Sequence, residues 1–415
     1  MKNEYDIVVV GGGFAGASAA ICAAREGKKV ILIEKYNCMG GAACFDLVNP
    51  FMPYATGGKA LSAGIFTEIV DRLEAIGGLI RSGAPVFEAE YLKFVLNNMA
   101  KEAGLELLYQ AYMTDVNVCD GKIRSVTVSG TSGKREIFGK CFIDATGDAN
   151  LSFLAGCSYR LGRDGDSLCQ PMTLCFRLSD VDPVKFKEEK PLINPLYKKL
   201  QAEGVITNPR ENVLIFRTIT ESIIHFNTTR VVKLNPTDMD DVTKAEIITR
   251  EQVFEMLNFL KSNFLAFKNA KLIQSGMQVG ARESRMIIGE HVLTKDEIMA
   301  CTKFEDGIAA CNYDIDIHSP DGSGTSHYYF PEGTYYTIPY RSLLTKEISN
   351  LLVAGRCISS DHDAQASLRI MPVCATLGQA AGVAASIAVD RGCAPKDVDI
   401  ELLRNKLRAC NAVID

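Results

Sequence analysis

The sequence predicts an α/β fold in which a Rossmann-like domain with a β-meander is interrupted by a second, α+β domain. Three observations support this prediction: an apolar strand that runs into glycines near residue 10, an Ala-rich helix after those glycines, and a similar pattern near the end of the chain. A chain of 415 residues is long enough for two domains. We expect the first domain to comprise residues 1–150 and 346–415, and the inserted domain residues 151–345.

Composition and charge exclude several classes of partner. The net charge is −5 and no basic arm is present, so nucleic acid is not an expected partner. The longest weakly polar stretch, Ala380–Val389, is far shorter than the roughly 20 residues of a membrane helix, and the chain starts without a signal-peptide pattern. The 14 cysteines form no Cys-x-x-Cys pair, which predicts free thiols and no metal site. We therefore expect a cytoplasmic protein that binds no membrane.

The first strand–helix–strand unit is the most clearly patterned part of the chain. Asp6–Val10 is an apolar strand, Ala17–Arg25 is an Ala-rich helix that ends at Gly27, and Lys29–Ile33 is a second apolar strand. Because a helix connects the two strands, we expect them to be parallel, with a right-handed crossover.

The loop between the first strand and the helix has the pattern Gly-x-Gly-x-x-Gly. In this pattern the first glycine permits a tight turn, the second lets the backbone approach a pyrophosphate, and the third lets the helix pack closely. Glu34 ends the second strand, where its carboxylate can accept hydrogen bonds from ribose hydroxyls. An ordinary glycine turn is the alternative. The predicted dinucleotide-binding residues here are Gly11, Gly13, Phe14, Ala15, Gly16, Glu34 and Lys35.

Small residues recur at three later points where the chain can approach the same ligand. Each group also has a plain alternative: a loop, a strand–turn, or a small-residue helix that packs on the sheet. We take the C-terminal helix to open near Leu377, so that its first N–H groups face the cofactor. The predicted cofactor contacts are Gly40, Gly41 and Ala42, then Met113 in the meander, Ala145, Thr146 and Gly147, and finally Gly355, Arg356, Gly378 and Ala380.

Periodicity and turn residues predict the remaining elements. A long loop rich in Gly, Ser, Asp, His and Tyr is expected over Asp314–Tyr336. His318 and His327 lie in it, and we expect them to be solvated; the alternative is that they line a pocket. The predicted helices are Leu61–Ile76, Glu88–Ala103 and Glu246–Asn263, and the predicted strands are Thr114–Val118, Ile123–Val128, Glu136–Asp144, Gln170–Leu178, Val213–Phe226 and Leu351–Ala354.

Together with these motifs, three further segments give the chain a family resemblance. They are Leu47–Phe51, Val279–Arg285 and Ile338–Ser342. The chain resembles the FAD-dependent oxidoreductases of the glutathione-reductase-like superfamily, and within it the fumarate reductase and succinate dehydrogenase flavoprotein-like branch. The resemblance implies FAD extended along the first domain and a small-molecule substrate at the domain interface. Hydride transfer between the flavin and that substrate is the expected activity. An electron-transfer subunit that docks on a redox partner is the alternative.

The chain departs from this superfamily at two places. Arg356 follows Gly355 where many members have an aspartate that holds the ribityl chain, which puts that contact in doubt. No histidine precedes Gly40 to link FAD covalently, and we expect Cys38 to be unmodified, so FAD should be bound non-covalently. Only one Gly-x-Gly-x-x-Gly unit of the sequence opens a helix after a strand, whereas a reductase that also binds a nicotinamide dinucleotide needs a second unit. Electrons should therefore come from the substrate or from a separate redox partner.

Four side chains are candidates for the reaction itself: His362, Arg369, Arg282 and Arg341. Related enzymes use arginine and histidine over the flavin to hold a carboxylate and move protons. The planar guanidinium of arginine suits a carboxylate, and histidine can donate or accept a proton near neutral pH. The alternative is that Arg369 and Arg282 are buried structural cations, each paired with an acid.

Overall fold

The computed structural model describes residues 3–81, 83–322 and 324–415. In this part the α-helices are α1 (Phe14–Arg25), α2 (Ile65–Ala75), α3 (Ala89–Glu102), α4 (Asn150–Leu154), α5 (Pro183–Ala202), α6 (Met239–Asn263), α7 (Lys295–Met299), α8 (His362–Leu368), α9 (Met371–Arg391) and α10 (Ile400–Ala409).

The strands are short outside the first sheet. They are β1 (Glu4–Val10), β2 (Val30–Ile33), β3 (Ala55–Thr56), β4 (Lys59–Ala60), β5 (Leu79–Ile80), β6 (Val86–Phe87), β7 (Glu106–Leu108), β8 (Tyr112–Cys119), β9 (Lys122–Gly130), β10 (Gly133–Asp144), β11 (Tyr159–Leu161), β12 (Phe176–Ser179), β13 (Ile215–Arg217), β14 (Ile224–Phe226), β15 (Lys271–Ser275), β16 (Arg285–Ile287), β17 (Gly307–Cys311), β18 (Ile315–His318), β19 (Thr325–Tyr328), β20 (Tyr336–Pro339) and β21 (Leu351–Val353).

The first sheet joins the two ends of the chain. Its strand order is β7-β2-β1-β10-β9-β8, and β21 pairs with the second half of β10. Strands β7, β2, β1, β10 and β21 are parallel, whereas β8, β9 and β10 form an antiparallel meander. The predicted mixed α/β architecture with a meander is confirmed. The domain boundaries at residues 150 and 345 stay a prediction.

Helix α9 is the core helix of this region and packs along α1. It has the length and apolar composition of a membrane-spanning helix, but 94% of its apolar window is buried inside the protein. An added Cβ at Gly378 would lie 2.0 Å from the carbonyl oxygen of Ala15, and one at Gly382 would lie 2.2 Å from that of Ala19. These two glycines therefore allow the two helix backbones to touch.

The predicted start of this helix near Leu377 is wrong. Helix α9 begins at Met371, so Gly378 is its eighth residue, where the backbone N–H is bonded within the helix. Gly378 consequently has no free N–H for a flavin and serves the contact with α1. Ala380 is fully buried in the same helix.

We expect Gly378→Ala to destabilise the fold by about 3 kcal/mol, because the added methyl group would overlap the backbone of α1. Denaturant unfolding of the apoprotein measures this change. Ser386→Ala is the matched control in α9, since it adds no atom and removes only a hydroxyl bonded to Gly382 of the same helix. It should cost less than about 1 kcal/mol. An unchanged unfolding midpoint for Gly378→Ala would contradict the packing role.

The inserted region is built around a second, antiparallel sheet with the order β13-β14-β12-β15. Its core contains Phe176 and Phe226, whose rings stack at 4.8 Å, and helices α5 and α6 cover it. The sequence did not predict α5, which contains Pro191 and Pro195. The predicted loop Asp314–Tyr336 is also wrong, since β18 and β19 form a hairpin within it.

Candidate cofactor and substrate site

Four loops meet at the carboxyl ends of the parallel strands β1, β2, β10 and β21. They carry the glycines after β1, Glu34 after β2, Ala145–Gly147 after β10, and Gly355 after β21. Ligands of open α/β sheets bind at this edge. The structure thus brings the dispersed small-residue motifs of the sequence to one place.

The glycine loop after β1 has the geometry of a phosphate-binding turn. Gly11 has φ +97°, and an added Cβ there would lie 2.4 Å from the carbonyl oxygen of Ala145. Gly13 is the N-cap residue of α1, and no side chain caps this helix end. Uncapped N–H groups at a helix start, Phe14 and Ala15 among them, attract anions.

Glu34 holds the glycine loop to the second strand. Its carboxylate accepts the N–H groups of Gly12 and Tyr36, the latter at 2.9 Å. Burial raises the pKa of Glu34, against the effect of these hydrogen bonds. Lys35, the next residue, lies with its ammonium 4.9 Å from the ring centre of Tyr36.

The Gly40-Gly41 turn passes directly beside the glycine loop. The N–H of Gly40 donates to the carbonyl of Gly12 at 2.8 Å, and Gly41 packs against Gly13. Ala42 follows in a short 3-10 turn. Met113 lies in β8 and is buried in a core cluster with residues of β1, β2, β9 and β10.

Arg356 is bound to the loop after β10. Its Nε donates to the carbonyl of Gly147 at 2.8 Å, its guanidinium also donates to the carbonyl of Ala281, and it pairs with Asp148. Although burial acts in the opposite direction, Arg356 keeps the pKa of Asp148 below its usual range. The residue after Gly355 is therefore a cation that pairs with the carboxylate of Asp148.

His362 is held by a buried carboxylate at the start of α8. Its Nδ1 lies 2.7 Å from Oε1 of Glu283, whose side chain is fully buried. The other oxygen of Glu283 accepts the N–H of Gln170 at 2.9 Å. This contact occupies Nδ1, so Nε2 is the ring nitrogen left for a ligand.

Arg282 and Arg369 lie on either side of Gln170. Arg282 donates to the carbonyl of Pro171 at 2.7 Å, and its pKa is lowered to about 9 by burial and by nearby arginines. Arg369 donates to the carbonyl of Asp316 at 3.2 Å and contacts Gln170 at 3.5 Å. Its Nε is buried with no hydrogen-bond partner among the described residues.

Sequence reasoning missed two more arginines at this place, Arg210 and Arg230. Both are almost fully buried, at 2% and 1% exposure. Within the described chain, Nε and one terminal nitrogen of Arg210 and Nε of Arg230 have no hydrogen-bond partner. We call Arg210, Arg230, Arg282 and Arg369 the arginine cluster. Within the described residues, Glu211 pairs with Arg210 and Arg230, and Asp316 pairs with Arg369 at 3.6 Å. The four arginines of the cluster thus outnumber the two acids that pair with them.

Backbone pairing explains why these residues converge. The segment that follows Gln170 forms backbone bridges with two other segments. Met172 pairs with Val231, and Thr173 pairs with Gly280. Arg230 and Arg282 thereby lie on either side of it. Gln365 of α8 closes the arrangement by donating to the carbonyl of Arg282 at 2.9 Å.

Arg341 is separated from the other three candidates. Its Nε donates to Asp306 at 2.9 Å, and its side chain is 51% exposed. His318 also differs from expectation, because it is buried at 7% exposure rather than solvated. His327 is partly exposed and pairs with Asp314.

A family model described as FAD dependent oxidoreductase matches residues 6–407. The chain belongs to this family. A digeranylgeranylglycerophospholipid reductase from Sulfolobus acidocaldarius is 25% identical over 159 residues, 35% of this chain and 34% of that protein. A tRNA uridine 5-carboxymethylaminomethyl modification enzyme from Desulfotalea psychrophila is 31% identical over 198 residues, 40% of this chain and 27% of its own. The chain thus aligns with about a third or less of these relatives.

Alignments with solved structures extend over nearly the whole chain. A geranylgeranyl bacteriochlorophyll reductase-like protein from Thermoplasma acidophilum covers 98% of this chain and 83% of its own, with a TM-score of 0.48 and 14% identity. The alignment with a flavin-dependent brominase covers 98% of this chain and 84% of the brominase chain, with a TM-score of 0.49 and 14% identity.

The residues at the carboxyl edge of the sheet fit FAD, the cofactor of this FAD-dependent oxidoreductase. Gly13 leaves space, since an added Cβ there would meet nothing closer than 3.9 Å. The uncapped start of α1 would receive the pyrophosphate, and Glu34 would receive the adenosine ribose. FAD supplies the hydride acceptor or donor when it is bound.

Proposed function

We propose that this enzyme transfers hydride between FAD and a small organic anion bound by the arginine cluster. The observation that carries the proposal is that four arginines, three of them buried, share two paired acids, and that guanidinium nitrogens of Arg210, Arg230 and Arg369 lack hydrogen-bond partners in the described chain. Buried charges are ordinarily paired, so an unpaired excess indicates a ligand of opposite charge. Arg282 and Arg369 would bind the anionic group of the substrate.

His362 would move the proton that accompanies hydride transfer. The buried carboxylate of Glu283 fixes its ring, which leaves Nε2 as the reactive nitrogen. Because α8 is anchored between β21 and α9, two elements of the first sheet region, this histidine is held rigidly. Burial of the site excludes water, which strengthens each charge contact.

The alternative that Arg282 and Arg369 are structural cations, each paired with an acid, fits Arg369, whose guanidinium lies 3.6 Å from the carboxylate of Asp316, but does not fit Arg282. A structural arginine of this chain is Arg177, which is buried and pairs with Glu88 at 2.7 Å. Arg282 instead donates to a backbone carbonyl and to the side chain of Asn227, and its depressed pKa results from burial and from neighbouring arginines.

We also propose that the chain lies in the fumarate reductase and succinate dehydrogenase flavoprotein-like branch. The segment Val279–Arg285, which supplies Arg282 and Glu283, supports this placement. A separate redox partner is proposed because one dinucleotide unit is present in the sequence. The net charge of −5 supports the absence of a nucleic-acid partner, and the 14 free cysteines support a reducing, cytoplasmic location.

We expect acid precipitation of the purified protein to release FAD, and we expect organic acids rather than neutral analogues to bleach the bound flavin under anaerobic conditions. Mass measurement of the released chromophore and stopped-flow absorbance test the two parts. Carboxylic acids and their amides form matched pairs of substrates. FMN in the supernatant, or amides that react as fast as the acids, would contradict the proposal.

A further inference from the structure

His318 lies inside the arginine cluster, on strand β18. Its Nδ1 is 3.1 Å from a terminal nitrogen of Arg230 and 2.9 Å from Oγ1 of Thr325. Its Nε2 is 3.4 Å from Oδ2 of Asp316. Both ring nitrogens are therefore engaged by groups of known donor or acceptor character.

Those partners fix the protonation state of the ring. An arginine can only donate, so Nδ1 accepts from Arg230, and the single ring proton resides on Nε2, facing Asp316. His318 is thus neutral in this arrangement. Burial, followed by the charges of Arg282 and Arg210, holds the pKa of His318 well below its ordinary value.

We propose that His318 takes up one proton from solvent when an anion binds the arginine cluster, so that the site is loaded with an anion and a proton together. The anion attracts Arg230 and withdraws its N–H from Nδ1. It also offsets the positive field that keeps the imidazole neutral. The balance is one anion and one proton bound, with no electron moved.

The surroundings can accept the new N–H. Thr325 donates its own hydroxyl hydrogen to Glu211 at 2.8 Å and accepts from Arg230 at 3.4 Å, so its oxygen has a second lone pair for a protonated Nδ1. Nε2–H continues to face Asp316. The charged and titratable groups that face this ring or its partners are Arg210, Glu211, Arg230, Arg282, Tyr313, Asp314, Asp316, His327 and Arg369.

This inference rests on the proposed function and extends it. Under the proposed function His362 moves the proton that accompanies hydride transfer, and His318 would hold a further proton beside the bound anion. Asp316 and His318 are two residues apart on β18, so both side chains lie on the same face of the strand.

Calorimetric titration of the FAD-loaded protein with sodium sulfate tests the coupling. Sulfate serves as the probe anion, and two buffers with different heats of ionisation reveal protons taken up. We expect close to one proton per sulfate, and an affinity that rises up to about tenfold for each pH unit lowered from 8 to 6. Equal heats in the two buffers would overturn the inference.

His318→Asn identifies the proton acceptor, since its amide oxygen retains an acceptor for Arg230 while the titratable ring is lost. We expect it to bind sulfate without proton uptake. His327→Asn is the matched control on the paired strand β19 and should keep the uptake. Uptake that persists in His318→Asn, or that disappears in His327→Asn, would assign the proton elsewhere and overturn the inference.

Two further outcomes separate this inference from the proposed function. Sulfate that gives no saturable heat would overturn the anion site itself, and the proposed function with it. If His318→Asn does not fold, nitrogen NMR of the wild-type histidines replaces it, because the chain has five histidines to assign. The His318 ring should become doubly protonated on sulfate addition; a ring that stays neutral overturns the inference alone.

Discussion

Replacing Arg282 by glutamine should slow flavin reduction by the substrate at least about a hundredfold, while the protein becomes no less stable. The first effect follows from the loss of a buried charged contact to the substrate anion, which is worth about 3 kcal/mol. Stopped-flow reduction of the bound flavin and thermal unfolding of the same sample measure the two effects. Arg369→Gln should slow the reaction similarly and retain FAD.

The lowered pKa of Arg282 explains why Arg282→Gln is not expected to lower the free energy of unfolding. Burial and the neighbouring arginines lower the pKa of Arg282 to about 9, so the folded state disfavours its charge relative to the unfolded chain. Below pH 9 the charge is present in both states and reduces the free energy of unfolding, by about 1.4 kcal/mol for each unit of lowering. Stability should therefore rise in the wild-type protein as pH rises above 9, and less so in Arg282→Gln.

Arg177→Gln is the matched control, because Arg177 is also a buried arginine of the inserted region. Its removal leaves Glu88 without its cation and should cost about 3 kcal/mol of stability. The folded fraction should reduce its flavin at the wild-type rate. Arg341→Gln, at a half-exposed ion pair, should change neither property much. A destabilised Arg282→Gln that reacts normally would show that Arg282 is a structural cation.

Local patterns explain what the sequence could predict. The strand–glycine–helix unit at β1 and α1 has a signature within about twenty-five residues. The carboxyl ends of β10 and β21 followed from apolar strands that end in small residues. By contrast, the start of α9 was misplaced because Gly378 was taken as a helix opening. Pro372 in the first turn was the available signal for a start at Met371.

The arginine cluster could not be predicted because nothing local marks Arg210 or Arg230. Arg230 lies near Arg282 because isolated backbone bridges join their distant segments through Met172 and Thr173, and Arg210 shares Glu211 with Arg230. For His318 a local signal did exist. Asp316 and His318 occupy alternate positions of an Ile-Asp-Ile-His strand, which places both on one face, but the glycine and serine residues nearby suggested a solvated loop.

Gly13→Ala should leave the apoprotein folded and reduce FAD affinity by about a hundredfold or more, equivalent to about 3 kcal/mol. The backbone of Gly13 has φ −63° and ψ −176°, which alanine adopts freely, and an added Cβ would meet no atom closer than 3.9 Å. The methyl group would instead occupy the space at the start of α1 into which the pyrophosphate must fit. Gly16→Ala is the contrasting variant in the same loop, because its Cβ would lie 1.8 Å from the carbonyl oxygen of Gly11 and force the turn apart. It should lose both FAD and stability.

Circular dichroism of the apoproteins and FAD titration by fluorescence separate the effect of each variant on folding from its effect on FAD binding. Wild-type FAD affinity in Gly13→Ala would show that the cofactor does not approach the sheet at this glycine.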